Sequence, residues 1–163
     1  MQNLPTPNEN ELAQMEIIPG CEVQVWFKFT EKNFTNPNQM QALTLAYIGD
    51  SIYDIMSREY VMKNHLGKIN DLHKTVSTIV SARAQASFME NILNNSILTE
   101  QEEKIYNRAK NQKNNSKAKN ASIMEYKLAT GLEAVFGYLY LEKNFERLEE
   151  MFNYIIRLYE EKQ

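Results

Sequence analysis

Two apolar, helix-forming runs limit what this chain can build, because each carries a carboxylate directly among small and apolar neighbours. The first is Ala42-Leu-Thr-Leu-Ala-Tyr-Ile-Gly-Asp50-Ser-Ile-Tyr-Asp54, with Asp50 immediately after Gly49. The second, centred 83 residues later, is Thr130-Gly-Leu-Glu133-Ala-Val-Phe-Gly137-Tyr-Leu-Tyr140. A buried charge costs several kcal/mol unless it is paired or coordinated. Glycine inside a helix costs about 1 kcal/mol relative to alanine unless close packing needs it. Gly49, Ala46, Gly131, Ala134 and Gly137 are the small residues that would let two helix backbones approach. Two readings are open on the residues alone. Asp50 and Glu133 are separate surface acids facing water, which periodicity by itself favours, or they meet at a helix crossing around a metal ion.

Taken in order, the chain opens with a polar, Pro/Asn-rich stretch over residues 1–13, which reads as a disordered arm. Glu22 to Phe29 then alternates, with Val23, Val25, Phe27 and Phe29 on one side, a strand pattern. Residues 1–36 therefore read as an N-terminal arm or extension with a short strand, and residues 37–163 as one all-α domain. Asn36 and Pro37 form a cap and first turn for a helix over about 38–65, which Gly67 is expected to end. Leu43, Tyr47, Asp50 and Asp54 lie close to one face of it. A helix over about 70–91 follows, with Leu72, Val76, Ile79, Val80, Ala84 and Phe88 as its stripe. Thr99 with Glu102, and Ser122 with Glu125, are capping boxes for helices ending near 110 and 142. The last helix, about 144–159, buries Phe145, Leu148, Phe152, Ile155, Ile156 and Tyr159. Between them, residues 110–121 hold no large apolar side chain and read as an exposed, mobile loop.

The 163 residues are one domain's worth, and 43% hydrophobic with 24% charged content is ordinary for a globular protein. No apolar run approaches the ~20 residues of a membrane span. One cysteine, Cys21, excludes an intrachain disulfide framework, and His65 and His73 beside it argue against structural zinc. A reducing cytoplasm is the expected compartment. The net charge of -3 conceals a division. From Lys104 to Lys127 there are seven basic residues and one acid, Glu125, so that segment is +6 and the remainder -9. A basic island on an acidic body is an anion-binding surface, against the plainer reading of a solvated loop. His73 reads as a helix-face residue, Asp54 as a solvated acid or an outer-shell one, and Trp26 and the nine tyrosines as core or dimer contacts.

Gly49-Asp50 with Gly131-Leu-Glu133-Ala-Val-Phe-Gly137 resembles the catalytic core of the ribonuclease III family. Leu45 to Asp50, Asn70 to Lys74, Ile79 to Ala82 and Phe136 to Lys143 are most similar to its Mini-ribonuclease III branch. The resemblance covers roughly residues 39–150 and nothing after Glu150 resembles a double-stranded RNA-binding domain. It implies an all-α, ribonuclease III-type endonuclease domain in which Asp50 and Glu133 are the catalytic, metal-binding carboxylates. Two further family acids fall on Ala46 and Thr130, so this chain offers two carboxylates where the larger enzymes have four. The implied cofactor is Mg²⁺, with Mn²⁺ as substitute, supplying an activated water for phosphodiester hydrolysis.

The implied substrate is double-stranded RNA, a ribosomal RNA precursor of the 23S type, cut on both strands by a homodimer. The resemblance also admits a ribosomal-protein helper. The RNA-contacting set is then Arg108, Lys110, Asn111, Lys113, Lys117, Lys119 and Lys127, with Arg83 and Lys74 as weaker candidates. Such residues suit phosphate and 2′-hydroxyl contacts across an A-form minor groove. Two rivals stand beside this reading. One is a non-catalytic helical dimer that binds structured RNA or a ribosome, and the other an unrelated helical dimer for protein interaction.

Overall fold

The structure is a computed structural model, and it describes residues 36–112 and 122–162. The expected arm and strand, and the loop residues 113–121, lie outside the described residues. Within them the architecture is all-helical. A 3-10 turn, Pro37–Gln39, is followed by α1 (Ala42–Asn64), α2 (Ile69–Val80), α3 (Ala82–Asn94), α4 (Glu100–Lys110), α5 (Ile123–Leu141) and α6 (Phe145–Glu160).

Helix α5 is the centre. Leu128 to Leu132, Ala134 to Gly137 and Leu139 are buried on all sides of it, as expected of a helix with no polar face. Helices α1, α3, α4 and α6 pack around it, while α2 lies on α1. Tyr53 on α1 ties several of these together. Its ring meets Phe136 edge-on at 5.1 Å and Phe152 at 6.0 Å, and its hydroxyl donates to the Ile79 carbonyl at 3.3 Å.

The crossing of α1 and α5 is made by backbone. A methyl group on Gly49 would overlap the Glu133 carbonyl oxygen and stand 2.7 Å from the Gly137 amide nitrogen. One on Gly137 would overlap the Leu45 carbonyl oxygen. Neither neighbour is a flexible side-chain tip that could swing away.

Both capping boxes form, each with its serine or threonine hydroxyl and its glutamate reciprocally bonded. Glu102 does more than cap. Its carboxylate, 3% exposed, accepts from the Thr99 amide at 2.8 Å and from Arg147 Nε and Nη2 at 2.9 and 3.0 Å. Arg147 also donates to the Ile97 carbonyl at 2.7 Å, so α4 and α6 share one buried fork. Burial alone would raise the Glu102 carboxyl, but the bonds from Arg147 and Thr99 outweigh it and hold it below the usual range.

Three helix boundaries differ from expectation. The first helix does not begin near 38, because Met40 and Gln41 are extended between the 3-10 turn and α1. Nor does Gly67 end it. His65 is extended at φ -125°, ψ 115°, and residues 62–70 are all exposed, so no buried face remains to carry the helix on. The helix expected over 70–91 is two. Ser81 is extended (φ -64°, ψ 146°) and its hydroxyl accepts from the Ala84 amide, starting α3 in a new direction.

Gly49→Ala should therefore lower stability by about 3 kcal/mol or more, a fall of roughly 10 °C in Tm. Gly67→Ala, where the added carbon meets only Asp71, Cβ at 3.5 Å and Oδ2 at 3.9 Å, should melt like the parent. Thermal unfolding of the two variants checks this, and a parent-like Gly49→Ala would refute the backbone contact.

Candidate active site

Because Gly49 touches the Glu133 backbone, the next residue, Asp50, is carried to the same crossing. Asp50 sits exposed at the rim, and the Glu133 side chain is partly buried on the central helix. Burial pushes the Glu133 carboxyl up to about 8; Asp50 adds to the rise, and a hydrogen bond from the Gln85 side chain opposes it. Asp50 is raised as well, by partial burial and then by Asp54. The pair is thus close enough to repel, and the picture of two independent surface acids does not describe Glu133.

Among the described residues no ion pair involves Asp50 or Glu133. Asp54 is different, with its carboxylate on Arg58 Nε at 2.6 Å, a surface pair one turn beyond Asp50. Two repelling carboxylates with no cationic partner among the described residues are a hard-oxygen donor set that suits Mg²⁺, an ion that keeps several waters and needs few protein ligands. Among the described residues no group of three or more His, Cys, Asp or Glu could hold a metal. Waters and substrate phosphate would have to supply the remaining ligands. Ala46 and Thr130, one turn before each acid, are 5% and 6% exposed and bring no carboxylate.

The RNA-contact candidates are split. Arg108 is exposed on the last turn of α4, and its Nη1 donates to the Asn38 carbonyl at 2.7 Å. Lys110 is half-buried with its ammonium 5.4 Å from the Tyr106 ring centroid, and Asn111 is the exposed C-cap. Lys127 lies on α5, about 9 Å along the axis from Glu133. Lys113, Lys117 and Lys119 lie outside the described residues. Arg83 pairs with Glu125 at 3.2 Å, and Lys74 and His73 are exposed on α2. Tyr53, Tyr106 and Tyr159 are core, whereas Tyr47 is 80% exposed.

Sequence reasoning missed Gln85. It is 1% exposed, in register with Phe88, Met89 and Ile92 on the buried stripe of α3. A lone amide in an apolar stripe was the available signal.

The ribonuclease III domain family matches residues 43–144, a span holding both acids and both crossing glycines. The chain is 46% identical to Mini-ribonuclease 3 of Clostridium tetani over 136 residues, 82% of this chain and 89% of the relative. The chain belongs to the Mini-ribonuclease 3 branch of the ribonuclease III family. The Enterococcus faecalis member is 45% identical over 73% of this chain and 90% of its own. A crystal structure of a Fusobacterium nucleatum protein superposes with a TM-score of 0.66 at 33% identity, covering 76% of this chain and 98% of that one. The all-helical fold and the ribonuclease III-type endoribonuclease class follow from this membership. Among the described residues no helix is long and apolar enough to cross a membrane.

The raised Glu133 carboxyl has a stability consequence. Between about pH 4.5 and 8 the folded state holds a proton there that the unfolded chain has released, so stability falls as pH rises through that window. Glu133→Gln removes the penalty. Without divalent cations its unfolding free energy should exceed the parent's by an amount that grows from pH 5 to pH 8, on the order of 3 kcal/mol at the upper end, and its Tm should rise with it. A gap independent of pH would show that Glu133 is not held in this environment.

Proposed function

We propose that the chain hydrolyses phosphodiester bonds of double-stranded RNA with Mg²⁺ held by Asp50 and Glu133, and that its substrate is a precursor ribosomal RNA in the cytoplasm. The observation that carries the reading is that Asp50 and Glu133 come together at the glycine crossing with no cationic partner among the described residues. The ion, when bound, supplies a water nucleophile of lowered pKa and charge neutralisation at the scissile phosphate. Glu133, anchored on the central helix, gives up its proton to act as a ligand. Asp50, at the exposed rim, faces the side from which a nucleic acid can approach.

One protomer offers one such pair, and cleavage of both strands needs two. A homodimer supplies them. Tyr47, Ile55 and Met62 are 80%, 42% and 67% exposed, and they fall within about 80° of one another around α1. Three exposed apolar side chains on one side of α1 support such an association. Arg108, Lys110, Asn111 and Lys127, with Lys113, Lys117 and Lys119, are the candidates for contact with the RNA backbone. Recognition of this kind reads helix shape, and weakens steeply with salt.

The parent should cut a long, fully paired RNA in Mg²⁺, while Asp50→Asn and Glu133→Gln lose at least about 1,000-fold in rate and still bind the RNA. At subsaturating Mg²⁺ the parent's rate should rise with pH up to about 8 as Glu133 releases its proton. A gel assay of cleavage beside a binding titration decides. Binding by the parent without any cutting would leave a structured-RNA-binding protein in which the acids missing at Ala46 and Thr130 matter.

A further inference from the structure

Where the 3-10 turn meets α4 there is an open groove of about 450 Å³, lined by Asn38, Gln101, Lys104, Ile105, Asn107 and Arg108. Asn38 builds it. Its side-chain oxygen accepts from Gln101 Nε2, its Nδ2 donates to Glu142 Oε1 at 3.3 Å, and its carbonyl accepts from Arg108 Nη1 at 2.7 Å. Its own amide donates to Asn36 Oδ1 at 2.9 Å, so the turn is fastened to α4 twice and to the end of α5 once. Ile105, 1% exposed, packs below with Ala42 and Ala46 of α1. Those alanines stand eight and four residues before Asp50, roughly 6 to 12 Å along that helix.

No acid lines the groove. Glu142 accepts from Asn38, and Glu100 holds Lys104 at 2.7 Å in a pair 86% and 61% exposed, which another anion can displace at little cost. Arg108 is held differently. One of its N–H groups goes to a carbonyl, which orients the guanidinium without neutralising it. Its Nε–Nη2 edge, the donor pair that matches two phosphate oxygens, has no partner among the described residues. Beside it Asn107 is exposed, with an amide suited to a 2′-hydroxyl. We propose that the groove binds an RNA backbone phosphate other than the scissile one: Arg108 grips it, Lys104 and Asn107 assist, and Asn38 positions the guanidinium. The inference rests on the reading of paired RNA as substrate. The endoribonuclease class, and the +6 charge of residues 104–127 that include both cations, favour RNA over an acidic peptide.

Binding of a long, fully paired RNA to the full chain, titrated over a range of salt without divalent ions, tests this. Arg108→Gln should weaken binding roughly 10-fold and make the slope of log Kd on log salt shallower by about one. Arg108→Lys should restore the slope but not the affinity, because an ammonium does not bond side-on through two nitrogens. Asn38→Ala should weaken binding when Arg108 is present and add nothing to Arg108→Gln, since its effect passes through the guanidinium. In Mg²⁺-dependent cleavage the Arg108→Gln loss should fall on KM, with kcat within about 2-fold. If Arg108→Gln binds with the parent's affinity and slope while the parent still cuts, the groove is no RNA site and the catalytic reading stands alone. If Arg108→Lys binds as tightly as the parent, only charge matters and no built site exists. An Asn38→Ala loss that adds in full to that of Arg108→Gln would remove the positioning role. A parent that neither binds nor cuts paired RNA would overturn the substrate reading, and the groove with it.

Discussion

The contact of the α1 backbone with the α5 backbone at Gly49 and Gly137 is the constraint on which the rest depends. Side chains at helix crossings normally hold axes 8–10 Å apart. Here glycine removes that spacer, and carbonyl oxygens face the missing Cβ positions. Two things follow. Helix α5 is drawn into the middle of the domain, so that most of its circumference must be apolar or small, as it is from Leu128 to Leu139 apart from Glu133 and the half-buried Tyr138. And the separation of Asp50 from Glu133 is set by main chain instead of by long, rotatable side chains, which is how a charged pair is held to a narrow geometry.

Two partly or wholly buried glutamates show what the fold does when an acid is structural and when it is not. Glu102 is given a guanidinium fork and a backbone amide, and its carboxyl falls below the usual range. Glu133 is given another acid and a neutral amide, and its carboxyl rises to about 8. Among the described residues the chain therefore satisfies one buried carboxylate fully and gives the other no positive charge. A stability penalty of that kind persists where function requires it. Glu102 and Arg147 also fasten the start of α4, the helix whose last turn carries Arg108 and Lys110.

Much of this could be read before any coordinates. Serine or threonine followed three residues later by glutamate is a local signal with a local cause, and both capping boxes form where expected. Glycines beside acids in apolar helices pointed to the crossing, because little else justifies their cost. The helix breaks were harder. At Ser81 a hydroxyl cap competes with residues that would all tolerate helix, and the outcome is decided by α2 and α3 packing on different partners. Ser96 and Lys143 take positive φ (52° and 58°) where a glycine would have announced the turn. The Glu102–Arg147 fork joins residues 45 apart, and no spacing rule links them. Gln85 was visible only as an exception to a stripe whose boundaries had been drawn too long.

The reduced acid set is itself a packing statement. Ala46 belongs to a small cluster with Ala42, Leu45, Ile105, Ala109 and Ala134, where α1, α4 and α5 meet. A glutamate at 46 would have to leave that cluster or bury a third negative charge beside a pair already repelling. Thr130 is buried to 6% and lies next to Gly131, whose missing Cβ admits the edge of the Tyr106 ring. At both positions a short, buried side chain allows close contact between helices. The two acids that remain are those adjoining the backbone crossing, one through Gly49 and one through its own carbonyl, where the fold offers the least freedom to move them.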